Sequence, residues 1–225
     1  MSTVPAALAE PFHGVLLDLD GTLIDSIPSV VRSWLRWCEE YGIDPERLRG
    51  SHGVTASNVI ERLLPEEQRG PAHDRIVELE VADAVGIALL PGAAELLVLL
   101  RDAGVPTAVV TSCSAPLARA RLAATGLPRP DVVVTASDVE RGKPWPDPWL
   151  LGAERIGVPP ADCLVVEDTV AGLRAAQAAG CRGLAAVTST TPRAELEDLA
   201  HLVVADVAGL PVEASAGLVR VVAGA

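Results

Sequence analysis

No uninterrupted apolar run in this 225-residue sequence approaches the roughly 20 residues that a bilayer-spanning helix needs, although 49% of its residues are hydrophobic. A membrane-spanning chain is therefore not expected. Basic charge is scarce too: 18 Lys and Arg stand against 30 Asp and Glu, a formal net charge of −12. That balance provides no basic field for nucleic acid or an anionic lipid surface. A small phosphate ester is not excluded, because a bound cation and one lysine reverse the potential inside a single pocket. The four cysteines, Cys38, Cys113, Cys163 and Cys181, include no Cys-x-x-Cys pair, which fits free thiols in a reducing compartment. The stretch Met1 to Pro11 has no basic region, and Pro5 and Glu10 interrupt its apolar residues, unlike a secretory leader. A cytoplasmic location is expected.

What is present is organised around Val15-Leu16-Leu17-Asp18-Leu19-Asp20-Gly21-Thr22-Leu23-Ile24-Asp25-Ser26. Apolar residues run into a carboxylate, a second carboxylate follows after one residue, and a glycine turns the chain. On extended backbone Asp18 and Asp20 share a side and converge. Two carboxylates so close resist joint ionisation unless a cation sits between them, so the pair asks for a metal. A calcium loop starting at Asp18 is excluded, because its required glycine falls on Leu23 and its closing glutamate on Ser29.

Beyond Ser26 the periodicity is helical for some sixty residues. Pro28 opens a helix carrying Val30, Val31, Trp34, Leu35 and Cys38, which Gly42 closes; Asp44-Pro45 caps a second; a third spans Thr55 to Leu64; a fourth spans Ala72 to Val85. From Ile87 strands and helices alternate. Strands are expected at Thr107 to Val110, Val132 to Val134, Cys163 to Val166, Gly183 to Val187 and His201 to Val204, with a helix before each of the first four. Apolar strands linked by helices indicate a parallel sheet covered on both faces. The expected architecture is α/β, a doubly wound parallel-sheet core of residues 1–25 and 89–225 with an inserted all-helical cap of residues 26–88. Val212 to Ala225 reads as a last helix or strand.

The first stretch resembles motif I of the haloacid dehalogenase superfamily in its phosphohydrolase form, Asp-x-Asp-Gly-Thr-hydrophobic-x-Asp-Ser. Three further motifs follow in order: Thr111-Ser112 after an apolar strand, Lys143 in Arg141-Gly142-Lys143-Pro144, and Glu167-Asp168 after Leu164-Val165-Val166. In an open parallel sheet, ligands bind outside the carboxyl ends of the strands, where these residues fall. The resemblance runs from about His13 to about Leu210 and implies a Rossmann-like core. It also implies roles. Asp18 is the nucleophile that takes up the phosphoryl group, and Asp20 is the general acid and then base. Lys143, the chain's only lysine, neutralises the phosphoryl oxygens, and Thr111 or Ser112 donates to them. Asp18, the Asp20 carbonyl and Asp168 hold Mg²⁺, with Glu167 as ligand or as a residue behind it.

The implied activity is a Mg²⁺-dependent phosphatase acting on a small phosphorylated sugar or polyol. The closer branch shares Thr111-Ser112-x-Ser114-x-Pro116, Arg119-x-Arg121, Gly126-Leu127-Pro128 and Arg141-Gly142-Lys143-Pro144-x-Pro146-Asp147. A hexose-phosphate mutase of the β-phosphoglucomutase type, or a phosphoglycolate-type phosphatase, stays open as an alternative. Cys113 reads as a small residue in a turn, and Trp34 and Trp37 divide between cap packing and the substrate. Trp145 and Trp149 should pack the loop around Lys143. Substrate recognition is assigned to Arg49 and His52, in a polar segment between two expected cap helices. The expected partner is a small phosphorylated metabolite, with neither nucleic acid nor membrane, for a monomer or homodimer.

Overall fold

The computed structural model describes residues 4–51 and 54–223. In chain order it contains β1 (Gly14–Leu17), β2 (Ile24–Asp25), α1 (Ile27–Tyr41), α2 (Ala56–Leu63), α3 (Glu66–Ala82), β3 (Ala88–Leu89), α4 (Ala93–Asp102), β4 (Thr107–Val110), α5 (Ala115–Thr125) and β5 (Val132–Val134). It continues with α6 (Asp147–Ile156), β6 (Cys163–Glu167), α7 (Val170–Ala178), β7 (Gly183–Val187), α8 (Arg193–Leu196), β8 (Leu202–Val204), β9 (Val212–Ser215) and β10 (Leu218–Val221). No described helix is long and apolar enough to cross a membrane.

Six strands form one parallel sheet in the order β5-β4-β1-β6-β7-β8. The side-chain alternation of its central strands builds two layers at once. Val15 and Leu17 of β1, Val109 of β4, and Leu164 and Val166 of β6 join a cluster with Leu96, Leu97 and Leu100 of α4. Leu16, Val110 and Val165 point the other way, into a cluster with Trp149 and Ala153 of α6 and Leu173 of α7. This is the doubly wound α/β architecture expected from the sequence. The chain runs from β1 outward through β4 and β5, then crosses to β6 on the other flank and continues to β8. The order reverses at β1, and the crevice it opens lies at the carboxyl ends of β1, β4 and β6.

Helices α1 to α3 follow β2 and precede β3, and those two short strands pair antiparallel, so the chain leaves and re-enters the core side by side. The three helices bury their own apolar cluster around Trp37, Ile60 and Ile76. Helix α1 ends at Gly42, whose φ of 63° is the left-handed turn that glycine adopts most cheaply. Thr55 caps α2 by accepting from the Asn58 amide.

Two expectations differ in detail. The helix expected to start at Asp44-Pro45 is a 3-10 turn, Pro45–Leu48, capped by Asp44. Helix α3 begins at Glu66 rather than Ala72: Glu66 and Glu67 sit in its first turn, where the helix dipole favours acids, and Pro71 is accommodated inside it. The apolar C-terminal stretch is a hairpin whose turn, Ala216-Gly217, has positive φ at both residues, and Val219 of β10 bridges to Phe12.

Candidate active site

Asp18 is the first residue beyond β1, and its amide donates to the Val166 carbonyl at 3.0 Å, fixing it beside the end of β6. Glu167 ends β6, and Asp168 follows it. From the loop before α6 comes Lys143, the only lysine in the chain and 1% exposed. Its Nζ donates to Asp18 Oδ1 at 2.5 Å, to Glu167 Oε1 at 2.9 Å and to the Val110 carbonyl at 3.1 Å. The ammonium also lies 4.4 Å from the ring centroid of Trp149, itself wholly buried. Burial opposes the charge on Lys143, but Asp18 and Glu167 outweigh it and push its pKa up. The lysine therefore stays a cation.

The remaining oxygens of these acids are individually held. Glu167 Oε2 accepts from the amides of Asp168 and Thr169, both at 2.5 Å, and from the Thr169 hydroxyl at 3.0 Å. Gly172 makes room for this arrangement: a Cβ there would lie 1.8 Å from Glu167 Oε1. Asp168 accepts from Thr22 Oγ1 at 3.2 Å and from Thr190 Oγ1. Gly21, with φ of 89°, lets the turn after Asp20 pass Asp168, where a Cβ would come within 2.2 Å of its Oδ2.

Asp18, Glu167 and Asp168 each offer an oxygen within 4.8 Å of the others, and all three are buried. Burial pushes the Asp18 carboxyl up to about 8, with Lys143 opposing and Glu167 adding to the rise. Burial and the charges of Glu167 and Asp18 push Asp168 well above the usual carboxylate range. Three buried acids against one lysine leave a deficit of positive charge, and the donors are all hard oxygens. That donor set fits a divalent cation of the Mg²⁺ type.

The Asp20 carboxylate, expected to converge on a metal with Asp18, is not part of that cluster and has partners of its own. Its Oδ1 accepts from Ser26 Oγ at 2.6 Å and from Arg121 Nη1 at 2.7 Å, and its Oδ2 from Cys113 Sγ at 2.9 Å and Thr111 Oγ1 at 3.3 Å. Burial alone would raise its pKa; Arg121, followed by the hydrogen bonds of Cys113 and Ser26, lowers it below the ordinary value. Burial pushes the Cys113 thiol well up, so it remains a thiol and donates.

A cavity of about 530 Å³ opens over Asp18, Asp20, Thr111, Ser112 and Asp168, and is walled on its far side by residues of α1, α2 and α3. Trp34 lines it, while Trp37 is buried among the helices with its Nε1 donating to the Ala72 carbonyl. Arg49 lines the cavity too; its side chain is 80% exposed and pairs with Glu46 at 2.7 Å. His52 lies outside the described residues. Trp145 packs on this loop from outside, half-exposed and stacked with the Arg141 guanidinium at 4.7 Å, and Trp149 lies beneath Lys143.

Three contributors carried no role in the sequence. Arg121, 3% exposed, reaches both Asp20 and Glu80 of α3, the latter at 3.2 Å from Nη2. Glu80 falls on the same helix face as Ala72, Ile76 and Leu79, so an acid in an otherwise buried stripe was the available signal. Thr190 sits in a loop after β7 with no pattern to mark it.

A model of the haloacid dehalogenase-like hydrolases matches residues 12–180. Hexitol phosphatase A of Escherichia coli is 44% identical over 191 residues, covering 83% of this chain and 88% of its own. Fructose-1-phosphate phosphatase YqaB of the same species is 32% identical, covering 76% and 94%. Among solved structures, a hydrolase from Pseudomonas syringae superposes with a TM-score of 0.82 at 28% identity, covering 89% of this chain and 96% of that one.

Proposed function

The chain belongs to the haloacid dehalogenase-like hydrolase family, and from that premise we propose that it is a Mg²⁺-dependent phosphatase releasing phosphate from a small sugar or polyol phosphate through a phosphoaspartyl intermediate. The observation that supports this reading best is the convergence of Asp18, Lys143, Glu167 and Asp168 at the ends of three strands, directly beneath a cavity that α1 to α3 close over.

In the first half-reaction a carboxylate oxygen of Asp18 attacks phosphorus, the bond from phosphorus to the ester oxygen breaks, and Asp20, ionised in the empty site and brought to its acid form by the negative charge of the bound ester, gives its proton to the departing alkoxide. In the second, Asp20 takes a proton from water, the water oxygen bonds to phosphorus, and the Asp18 acyl phosphate breaks to free phosphate. Lys143 keeps Asp18 in place and faces the negative oxygens being transferred. Asp18, Asp168 and the Asp20 carbonyl would hold Mg²⁺, which would supply positive charge beside the transferred phosphoryl group. Glu167, whose oxygens already accept from Lys143 and two backbone amides, serves as the anchor for that lysine rather than as a direct ligand. Both candidate hydroxyls line the cavity, but Thr111 is buried and donates to Asp20 whereas Ser112 is half-buried, so Ser112 is assigned to the phosphoryl group.

Residues 26–88 act as the cap in this reading, with Arg49 reading the part of the substrate that does not react. The cavity has room for a small phosphorylated metabolite, and two relatives are named hexitol phosphatase and fructose-1-phosphate phosphatase. The test is a panel of hexitol, ketohexose, aldohexose and glycolate phosphates assayed for phosphate release with Mg²⁺ and with a chelator. Fastest release from a hexitol or ketohexose phosphate, abolished by the chelator and restored by Mg²⁺, is expected. No release from any ester, or release indifferent to the chelator, would overturn the proposal.

A further inference from the structure

Helix α3 of the cap packs on helix α5 of the core, and one guanidinium spans that contact. Arg121 Nη1 holds Asp20 Oδ1 at 2.7 Å and Cys113 Sγ at 2.9 Å; Nη2 holds Glu80 Oε1 at 3.2 Å. Its Nε has no hydrogen-bond partner among the described residues. Arg121 and Glu80 both line the cavity. The planar fork of arginine suits it to two carboxylates at once, which a lysine ammonium does not match.

We propose that Arg121 is a positioning residue that couples the placement of the Asp20 carboxylate to the placement of the cap through Glu80. The inference rests on the phosphatase reading, in which Asp20 must be aimed at the leaving oxygen. One guanidinium serves two acids, the half-buried Asp20 of the catalytic turn and the buried Glu80 of the cap. Moving α3 relative to α5 alters the hold on Glu80 and therefore the position in which the same guanidinium holds Asp20. Ser26, the second partner of Asp20 Oδ1, lies between β2 and α1, where the chain enters the cap. Asp20 is thus tied to the cap at its first linker and at α3.

The test is a double-mutant cycle on turnover. Arg121→Met should lower kcat roughly 10²-fold on a polyol phosphate, the scale of a misplaced catalytic group, and leave KM within about threefold. An activated aryl phosphate, which needs little protonation on leaving, should lose much less. Glu80→Leu should show a smaller loss of the same selectivity, and Glu80→Gln, which keeps an acceptor for Nη2, should recover most of it. Because Glu80 acts through Arg121, the double variant should be no slower than Arg121→Met alone. Multiplicative losses, equal losses on both ester classes, or an effect confined to KM would overturn the coupling. If the wild-type chain hydrolyses nothing, the phosphatase reading fails separately. Hydrogen exchange then tests the tie itself: faster exchange of α3 and α5 in Arg121→Met supports it, and unchanged exchange overturns it.

Discussion

Lys143 is the single cation among three buried carboxylates, and replacing it with methionine separates its charge from its packing. Methionine keeps an unbranched stem against Trp149, 4.4 Å from the present ammonium, while Asp18 and Glu167 lose the partner at 2.5 and 2.9 Å. Breaking a buried ion pair by removing one side costs about 3–5 kcal/mol, because the stranded charge stays out of water. With a urea slope of about 3 kcal/mol/M for a chain of this size, the midpoint should fall by roughly 1–2 M. Equilibrium unfolding in urea, followed by tryptophan fluorescence, measures it. Arg141→Met is the internal control: Arg141 lies two residues away, is 53% exposed and pairs with Asp147 at 3.0 Å, so its loss should cost no more than about 1 kcal/mol. Equal shifts for the two variants would refute the claim that Lys143 is what balances the acids.

Gly172→Ala should displace Glu167, because the added Cβ would sit 1.8 Å from its Oε1; a loss of about 1–3 kcal/mol with reduced turnover is expected, and wild-type values for both would contradict the packing described. Asp20→Asn should slow esters with poor leaving groups by roughly 10²-fold or more and activated aryl esters much less; equal slowing argues against the acid role. Glu80 gives a pH signature. Burial pushes its carboxyl up to about 7 from an ordinary 4.5, against the pull of Arg121. The folded chain therefore keeps a proton that the unfolded chain releases, and stability should fall as pH rises through that window, by up to about 3 kcal/mol. Glu80→Gln should flatten that fall, and an unchanged slope would show that Glu80 titrates normally.

The sheet was legible because its strands are apolar runs ending in polar residues, and period-2 alternation on β1, β4 and β6 feeds two opposite layers. Asp18, Thr111, Glu167 and Asp168 could be singled out because each follows such a run within a recognisable motif, and Lys143 because it stands in Arg141-Gly142-Lys143-Pro144. What the sequence hid depends on tertiary contact. Arg121 stood out only as part of Arg119-x-Arg121, and nothing local says that Arg121 is buried between two acids from different elements while Arg119 is not. The start of α3 was missed because Gly70-Pro71 reads as a break, whereas Glu66 and Glu67 begin the helix a turn and a half earlier. Trp145 and Trp149 look equivalent among their prolines, yet only Trp149 falls on the inner face of α6.

The central claim is that Asp18 is the nucleophile, and turnover of the best polyol or sugar phosphate by Asp18→Asn in Mg²⁺ tests it most directly. With the attacking carboxylate gone and Lys143, Asp168 and Asp20 still present, phosphate release should fall by roughly 10³-fold or more. Release within a few-fold of the wild-type rate would contradict the account.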